Sequence, residues 1–224
     1  MIRRFQDRIE GGQLLARQLA CYANRPDVIV LGLPRGGVMV AAEVARLLGA
    51  PLDLFLVRKL GAPINEELAI GAIASGGVRV LNGQIIERLG LTDDIIGAIS
   101  AREQHELERR ERAYRGHRPP LEVEGKIVIL VDDGIATGAT MHAAVDALRQ
   151  QGPARIVVAA PTAAASTVEE FAGEADEVVV VSAPTEFYGV GQWYEDFRQT
   201  TDEEVCELLD RVNTPRAKAG SGRS

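Results

Sequence analysis

The stretch KIVILVDDGIATGAT, Lys126 to Thr140, constrains this chain more than any other. Its five apolar residues, Ile127 to Val131, are an unbroken aliphatic run, which suits a strand buried on both faces within a parallel sheet. That strand carries two adjacent carboxylates, Asp132 and Asp133, to its C-terminal end. Gly134, Ile135, Ala136, Thr137, Gly138, Ala139 and Thr140 follow, and a helix then runs through Met141, Val145 and Leu148. Small residues with two hydroxyls leading into a helix offer free backbone N–H groups and the positive end of a helix dipole to one anion, so the loop reads as a phosphate cradle.

The ATP-type phosphate loop requires a Lys directly before its final Ser/Thr, and Ala139 fills that place. Two carboxylates ahead of a phosphate site repel its ligand unless they face the vicinal hydroxyls of a sugar or a hard cation such as Mg2+. Diol, phosphate and cation together describe a ribose 5-phosphate. From Ile127 to Thr140 the sequence resembles the type I phosphoribosyltransferases, whose signature is an apolar strand, two acidic residues and a loop x-x-x-T-G-x-[ST]. The alternative is a glycine-rich turn whose aspartates merely cap a helix. The resemblance implies that Gly134 to Thr140 anchor the 5-phosphate of 5-phosphoribosyl 1-pyrophosphate (PRPP). It also implies that Asp132 and Asp133 are catalytic, holding the ribose hydroxyls and Mg2+, and that the protein is a homodimer.

At 224 residues the chain has enough material for one large core, so a single domain over residues 1–212 with an inserted flap is expected. A net charge of −7 argues against a nucleic-acid partner and for a small one. Cys21 and Cys206 lack metal spacing, and His105, His117 and His142 form no cluster. Free thiols and a cytoplasmic setting are therefore expected. The start, Met1-Ile2-Arg3-Arg4-Phe5, lacks the apolar segment of a signal peptide, and no run approaches membrane-spanning length. Leu14, Leu15, Leu19 and Tyr22 predict a first, structural helix within residues 5–23. The opening Phe5-Gln6-Asp7-Arg8 with Gly11-Gly12 resembles that of an uncharacterised bacterial group of phosphoribosyltransferases.

The first strand, Val28 to Leu33, runs into Pro34-Arg35-Gly36-Gly37 and a helix carrying Val40, Val44, Leu47 and Leu48. A dinucleotide-binding fold is the rival reading, but the spacing is G-x-x-x-G-G rather than G-x-G-x-x-G, and Asp53 precedes the second strand, placed at Leu54 to Val57. By resemblance this second anion loop holds the pyrophosphate through Arg35 and the backbone near Gly36 and Gly37, with a cis peptide at Arg35. Arg58 and Lys59, at the C-terminal end of the second strand, are expected to meet the pyrophosphate as well. Between residues 60 and 118 the βα rhythm breaks. Ala69 to Ala74 and Val78 to Leu81 predict a β-hairpin, and Thr92 to Arg115 a charged, solvated helix steadied by Glu106/Arg110, Glu108/Arg112 and Glu111/Arg115 pairs. In the resembling family this insertion is a flexible hood that closes over substrate, and Glu66 or Glu67 could bring a catalytic carboxylate into the closed site.

Strands at Arg155 to Ala160 and Glu177 to Val181 flank a helix from Ala163 to Phe171. The expected fold is thus α/β, a Rossmann-like parallel sheet of about five strands with helices on both faces plus the hood. Five of the chain's ten aromatic residues fall in the fourteen positions Pro184 to Phe197, flanked by glycines. Such a loop suits stacking on a planar base through Phe187, Tyr188 or Trp193, with Glu195 or Asp196 as the neighbouring acid, or a small core sealing the sheet's end. The resemblance to purine-salvage enzymes is incomplete: Ala160-Pro161-Thr162-Ala163 offers no Lys for a 6-oxo group, and Ala136 stands where their loop has an Asp. Thr201 to Leu209 predicts a last helix, and residues 213–224 a disordered polar tail. Three functions fit: a Mg2+-dependent transferase moving the phosphoribosyl group of PRPP to a nitrogen nucleophile, a regulator that senses PRPP, and a nucleotide-dependent oxidoreductase disfavoured by the glycine spacing.

Overall fold

The computed structural model describes residues 4–116, 118–119 and 121–213; the tail expected beyond Asn213 and His117 lie outside them, as does the side chain of Glu67. Five parallel strands form the main sheet: β1 (Val28–Gly32), β2 (Leu52–Leu54), β6 (Ile127–Val131), β7 (Arg155–Thr162) and β8 (Glu177–Ser182), in the order β2-β1-β6-β7-β8. Every residue of β1 and β6 is buried, as the aliphatic runs require. Alternation divides them between two cores. Val28, Val30, Ile127 and Ile129 meet Leu15 of α1 (Arg8–Gln18), Leu19 just after it, and Val40 and Val44 of α2 (Gly36–Leu48). Ile29, Leu31, Val128 and Leu130 meet Val145 and Leu148 of α5 (Ala139–Arg149) and Phe171 of α6 (Ala165–Phe171). The last helix, α7 (Asp202–Asn213), packs Val205 and Leu209 on the first of these cores and runs four residues beyond the expected Leu209.

The insertion between β2 and β6 holds a three-stranded antiparallel sheet, β3 (Val57–Ala62), β4 (Asn65–Ala74) and β5 (Val78–Leu81), with α3 (Gly83–Leu89) and α4 (Asp93–Arg115). The expected hairpin and long helix are present, but two expectations need correction. The second strand ends at Leu54, and Val57 already belongs to β3. Phe55 and Leu56 are buried in opposite cores, and Leu56 exchanges hydrogen bonds with Ser75, its N–H to Oγ at 3.0 Å and its carbonyl from the Ser75 N–H at 2.9 Å. Those bonds hand the chain from one sheet to the other. The long helix is also not a solvated arm throughout, because Ile96, Glu103, Leu107 and Tyr114 are buried. Of its expected pairs, Arg110 meets Glu106 at 2.8 Å, whereas Arg115 reaches Asp53 of β2 at 2.9 Å instead of Glu111.

Candidate functional site

In the main sheet the chain steps from β1 outward to β2 on one side, and from β6 outward to β7 and β8 on the other. The direction of winding therefore reverses between β1 and β6. In open α/β sheets ligands bind in the crevice beyond the C-terminal ends of the strands at this point. The two anion loops read from the sequence both leave the sheet there. Gly32 pairs with Val131, and the Leu33 N–H still bonds the Val131 carbonyl at 2.9 Å, so the loops depart side by side.

Their contact explains the glycines. A Cβ on Gly37 would lie 2.8 Å from the Val131 carbonyl and 2.9 Å from Asp132 Oδ1, and one on Gly36 would overlap the Asp133 carboxylate. Gly32 has a separate purpose: it lets α2 approach β1, with Val38 Cα only 2.8 Å from where a Cβ would stand. The peptide between Pro34 and Arg35 is cis, as expected at Arg35. Among the described residues the N–H groups of Arg35, Gly36 and Gly37 meet no acceptor, the state of a helix N-terminus open to an anion.

The second loop is pinned at its edges and open at its centre. Ile135 bridges Ala163, donating to the Thr162 carbonyl at 2.9 Å and accepting from the Ala164 N–H at 2.9 Å. Thr167 Oγ donates to the Ala136 carbonyl at 2.6 Å, while Gly138, at φ 70°, turns the chain into α5. Gly138 suits this turn because a left-handed backbone is strained for other residues. No acceptor among the described residues takes the N–H groups of Ala136 to Thr140. Ala139 and Thr140 form the first turn of α5, so the cradle is half loop and half helix end.

Between the loops sit the carboxylates. Asp132 Oδ1 accepts the Asp133 N–H at 2.8 Å, and burial followed by the neighbouring Asp133 charge pushes the Asp132 carboxyl well above its ordinary pKa. Asp133 Oδ2 accepts from Arg8 Nε at 2.8 Å, a pair whose side chains are only 14% and 10% exposed. The Arg8 guanidinium lies 4.0 Å over the Phe197 ring, and its Nη1 donates to the Arg198 carbonyl at 2.8 Å. Tyr194 closes the group, its hydroxyl donating to the Asp133 carbonyl at 2.5 Å. Burial and then the Asp133 charge raise the pKa of that phenol.

Sequence reasoning missed these supports. Arg8 lies in the opening segment singled out above, but helical periodicity gives no hint that an arginine on a polar face turns inward. The aromatic segment is correspondingly reassigned in part. Trp193 is 8% exposed and packs with Phe5 and Tyr194, so it belongs to the small sealing core and is not available for base stacking. Phe187 stacks on Trp193 at 5.9 Å and is half-buried. Tyr188 is 86% exposed, which leaves it as the free face among the three. The exposed Glu195 and Asp196 donate their N–H groups to the Phe5 and Gln6 carbonyls.

The basic residues are arranged differently from expectation. Arg58 and Lys59 lie within β3, not at the ligand end of the main sheet, because the chain has already left that sheet at Leu54. Arg58 is held by the buried Glu103 of α4 at 2.5 Å. Lys59 lines a cavity of about 790 Å³ between the antiparallel sheet and α5, together with Ala139, Thr140 and His142. Arg35 extends toward Asp202 of α7, 3.8 Å away, and lines a smaller cavity with Arg109, Arg110 and Tyr114 of α4. Glu66 is exposed at the start of β4.

A sequence profile for the phosphoribosyl transferase domain matches residues 4–190. The chain belongs to the phosphoribosyltransferase family. A candidate phosphoribosyl transferase of Mycobacterium tuberculosis is 46% identical over 217 residues, covering 97% of this chain and 49% of its own length. The chain thus spans about half the length of the curated relatives it matches. The Bifunctional protein PyrR of Chloroflexus aurantiacus is 33% identical over 135 residues, 56% of this chain and 64% of that protein. A crystal structure of a Thermus thermophilus protein superposes with a TM-score of 0.84 at 45% identity, covering 93% of this chain and 99% of that one.

Phosphoribosyltransferase chemistry implies Mg2+, and the donor set can be tested for it. Among the described residues no group of three or more potential metal-binding side chains occurs. Arg8 takes one oxygen of Asp133, and the Asp133 N–H takes one of Asp132. Neither of these bonds uses Asp132 Oδ2 or Asp133 Oδ1, although the two side chains also touch each other. That fits a Mg2+ ion completing its shell with substrate oxygens and water, as this ion commonly does, and does not fit an all-protein cage.

Proposed function

We propose that this phosphoribosyltransferase-family chain transfers the 5-phosphoribosyl group of PRPP to a nitrogen nucleophile, a base-like heterocycle, with Mg2+ present and pyrophosphate released. The observation that carries this reading is the pair Asp132 and Asp133 set between two anion-ready loops at the sheet's switch point. The N–H groups of residues 136–140 are suited to the 5-phosphate, and the Asp132 and Asp133 carboxylates to the ribose hydroxyls. The N–H groups of Arg35, Gly36 and Gly37 are suited to the pyrophosphate. Displacing pyrophosphate from C1 makes the ribose ring cation-like and the leaving group strongly negative. The two carboxylates are suited to stabilising the cation-like ring, and the first loop's donors to the departing charge. When bound, Mg2+ supplies further positive charge to the pyrophosphate oxygens. The 5-phosphate acts as a handle that orients the reacting carbon.

The remaining assignments are part of the same proposal. Lys59, beside Ala139 and Thr140 in one cavity, adds charge near the 5-phosphate; Tyr188 stacks on the acceptor; and Glu66 or Glu67 enters the site when the insertion closes and excludes water. A homodimer in the cytoplasm completes the reading. Calorimetric titration with PRPP, with and without Mg2+, tests it beside the double variant Asp132→Asn/Asp133→Asn. Metal-dependent binding that the variant loses supports the proposal; no binding by the parent under either condition overturns it.

One observation favours a second reading. Arg58 is engaged by Glu103, which leaves the leaving group one cation fewer than the sequence suggested. A protein that binds PRPP as a signal has no need of that cation. Release of pyrophosphate on addition of a nitrogen heterocycle separates the two, since a sensor binds PRPP without releasing it.

A further inference from the structure

We infer that Arg8 is a positioning residue of the ribose corner, holding the Asp133 carboxylate so that its second oxygen faces a ribose hydroxyl. The inference rests on the reading above in taking the ligand to be a phosphoribosyl compound. The guanidinium is fixed from three directions: Asp133 Oδ2 at 2.8 Å, the Arg198 carbonyl at 2.8 Å and the Phe197 ring at 4.0 Å. A planar group held at three points has one orientation available, unlike a lysine on the same stem. Asp133 is fixed in turn. Its carbonyl accepts from Tyr194, Gly36 closes the space behind its carboxylate, and Arg8 Nε itself lies 3.0 Å from where a Gly36 Cβ would stand. Arg8 uses Oδ2 alone, and the neighbouring Asp132 side chain lies within hydrogen-bond reach of the same carboxylate. The carboxylate therefore has one oxygen committed to Arg8 and one that Arg8 leaves for the site. Arg8 also neutralises one of two adjacent carboxylates, which lowers the repulsion an incoming phosphate ester meets.

A simple staple between the N-terminal helix and residues 197–198 would use the same contacts but leave sugar recognition unaffected. The experiment titrates the parent chain, Arg8→Gln and Arg8→Lys with ribose 5-phosphate, its 2-deoxy and 3-deoxy analogues, and inorganic phosphate. The parent chain is expected to prefer ribose 5-phosphate over at least one deoxy analogue by about tenfold or more, the effect of a hydrogen bond to a charged group. In Arg8→Gln this preference falls to within about twofold while phosphate affinity is retained, and Arg8→Lys lies between, because an ammonium supplies charge without the fork. Undiminished preference in either variant overturns the inference. So does parallel loss of all four ligands by a variant with a native circular-dichroism spectrum, which is the signature of a structural staple. Should Arg8→Gln not fold, Arg8→Lys decides alone. Failure of the parent chain to bind any of the sugar phosphates is a different result: it overturns the phosphoribosyl reading, and the positioning role with it.

Discussion

Gly36 faces Asp133 so closely that a single added methyl group would fall within the carboxylate. The glycine that ends the first anion loop's turn into α2 and the carboxylate that precedes the second loop therefore cannot be varied independently. Gly36→Ala is expected to push Asp133 from its place and weaken PRPP binding about 10- to 100-fold, the equivalent of about 1–3 kcal/mol of overpacking. Calorimetry measures this directly. Unchanged affinity would show that the two loops are not in working contact.

The adjacent carboxylates should respond differently to neutralisation. Asp132 is pushed toward its protonated form by burial and by Asp133, so Asp132→Asn removes repulsion and keeps the acceptor for the Asp133 N–H. Its unfolding free energy is expected to stay within about 0.5 kcal/mol of the parent chain. Asp133→Asn leaves the Arg8 guanidinium without its carboxylate in a nearly closed space, at a cost of about 1–3 kcal/mol. Urea denaturation of the single variants with equal m-values gives the comparison, and equal stabilities would contradict it.

Tyr188 and Trp193 separate recognition from packing. Trp193→Ala removes a buried ring from the small core with Phe5 and Tyr194 and is expected to destabilise by about 3 kcal/mol. Tyr188→Ala removes an exposed ring and should alter stability by no more than about 0.5 kcal/mol. If Tyr188 stacks on the acceptor, its loss lowers affinity for nitrogen heterocycles in the presence of PRPP. A thermal melt and a binding isotherm on each variant suffice.

Three of the four tyrosines should ionise late. Burial, then a hydrogen bond to Glu177, pushes Tyr22 up to about 12, and burial, then Asp202, does the same for Tyr114. Tyr194 is raised as well. A phenol whose pKa is higher folded than unfolded contributes stability that is fully present below its ordinary value of about 10 and is lost as pH rises through the folded value. Absorbance at 295 nm is expected to show these phenols ionising above pH 10, together with loss of native circular dichroism. Titration of all four near 10 in a folded protein would refute this.

The parts legible in the sequence are those fixed by local pattern. The aliphatic runs at residues 28–33 and 127–131 identified the central strands, and Gly134 to Thr140 identified the cradle, because strand burial and helix-end chemistry are written in consecutive residues. Arg8 was not legible: its partner is 125 positions away, and nothing in a helical pattern distinguishes an inward arginine from a solvated one. Arg58 and Lys59 were misplaced for a related reason. Leu54 to Val57 reads as one apolar run, and only the bonds between Leu56 and Ser75 divide it between two sheets. The aromatic segment could not be apportioned between core and ligand, since composition does not say which rings meet Phe5.

The clasp on Asp133 also orders events during synthesis. A nascent chain has all five strands of its main sheet by residue 182, and both anion loops before that. Yet Arg8 cannot engage Arg198 until 190 further residues have been made, and Tyr194 and Phe197 arrive only just before. Contacts of such long sequence separation form late, because loop closure must precede them. The surroundings of Asp133 therefore acquire their shape late on the ribosome, after the sheet that carries them has already been completed.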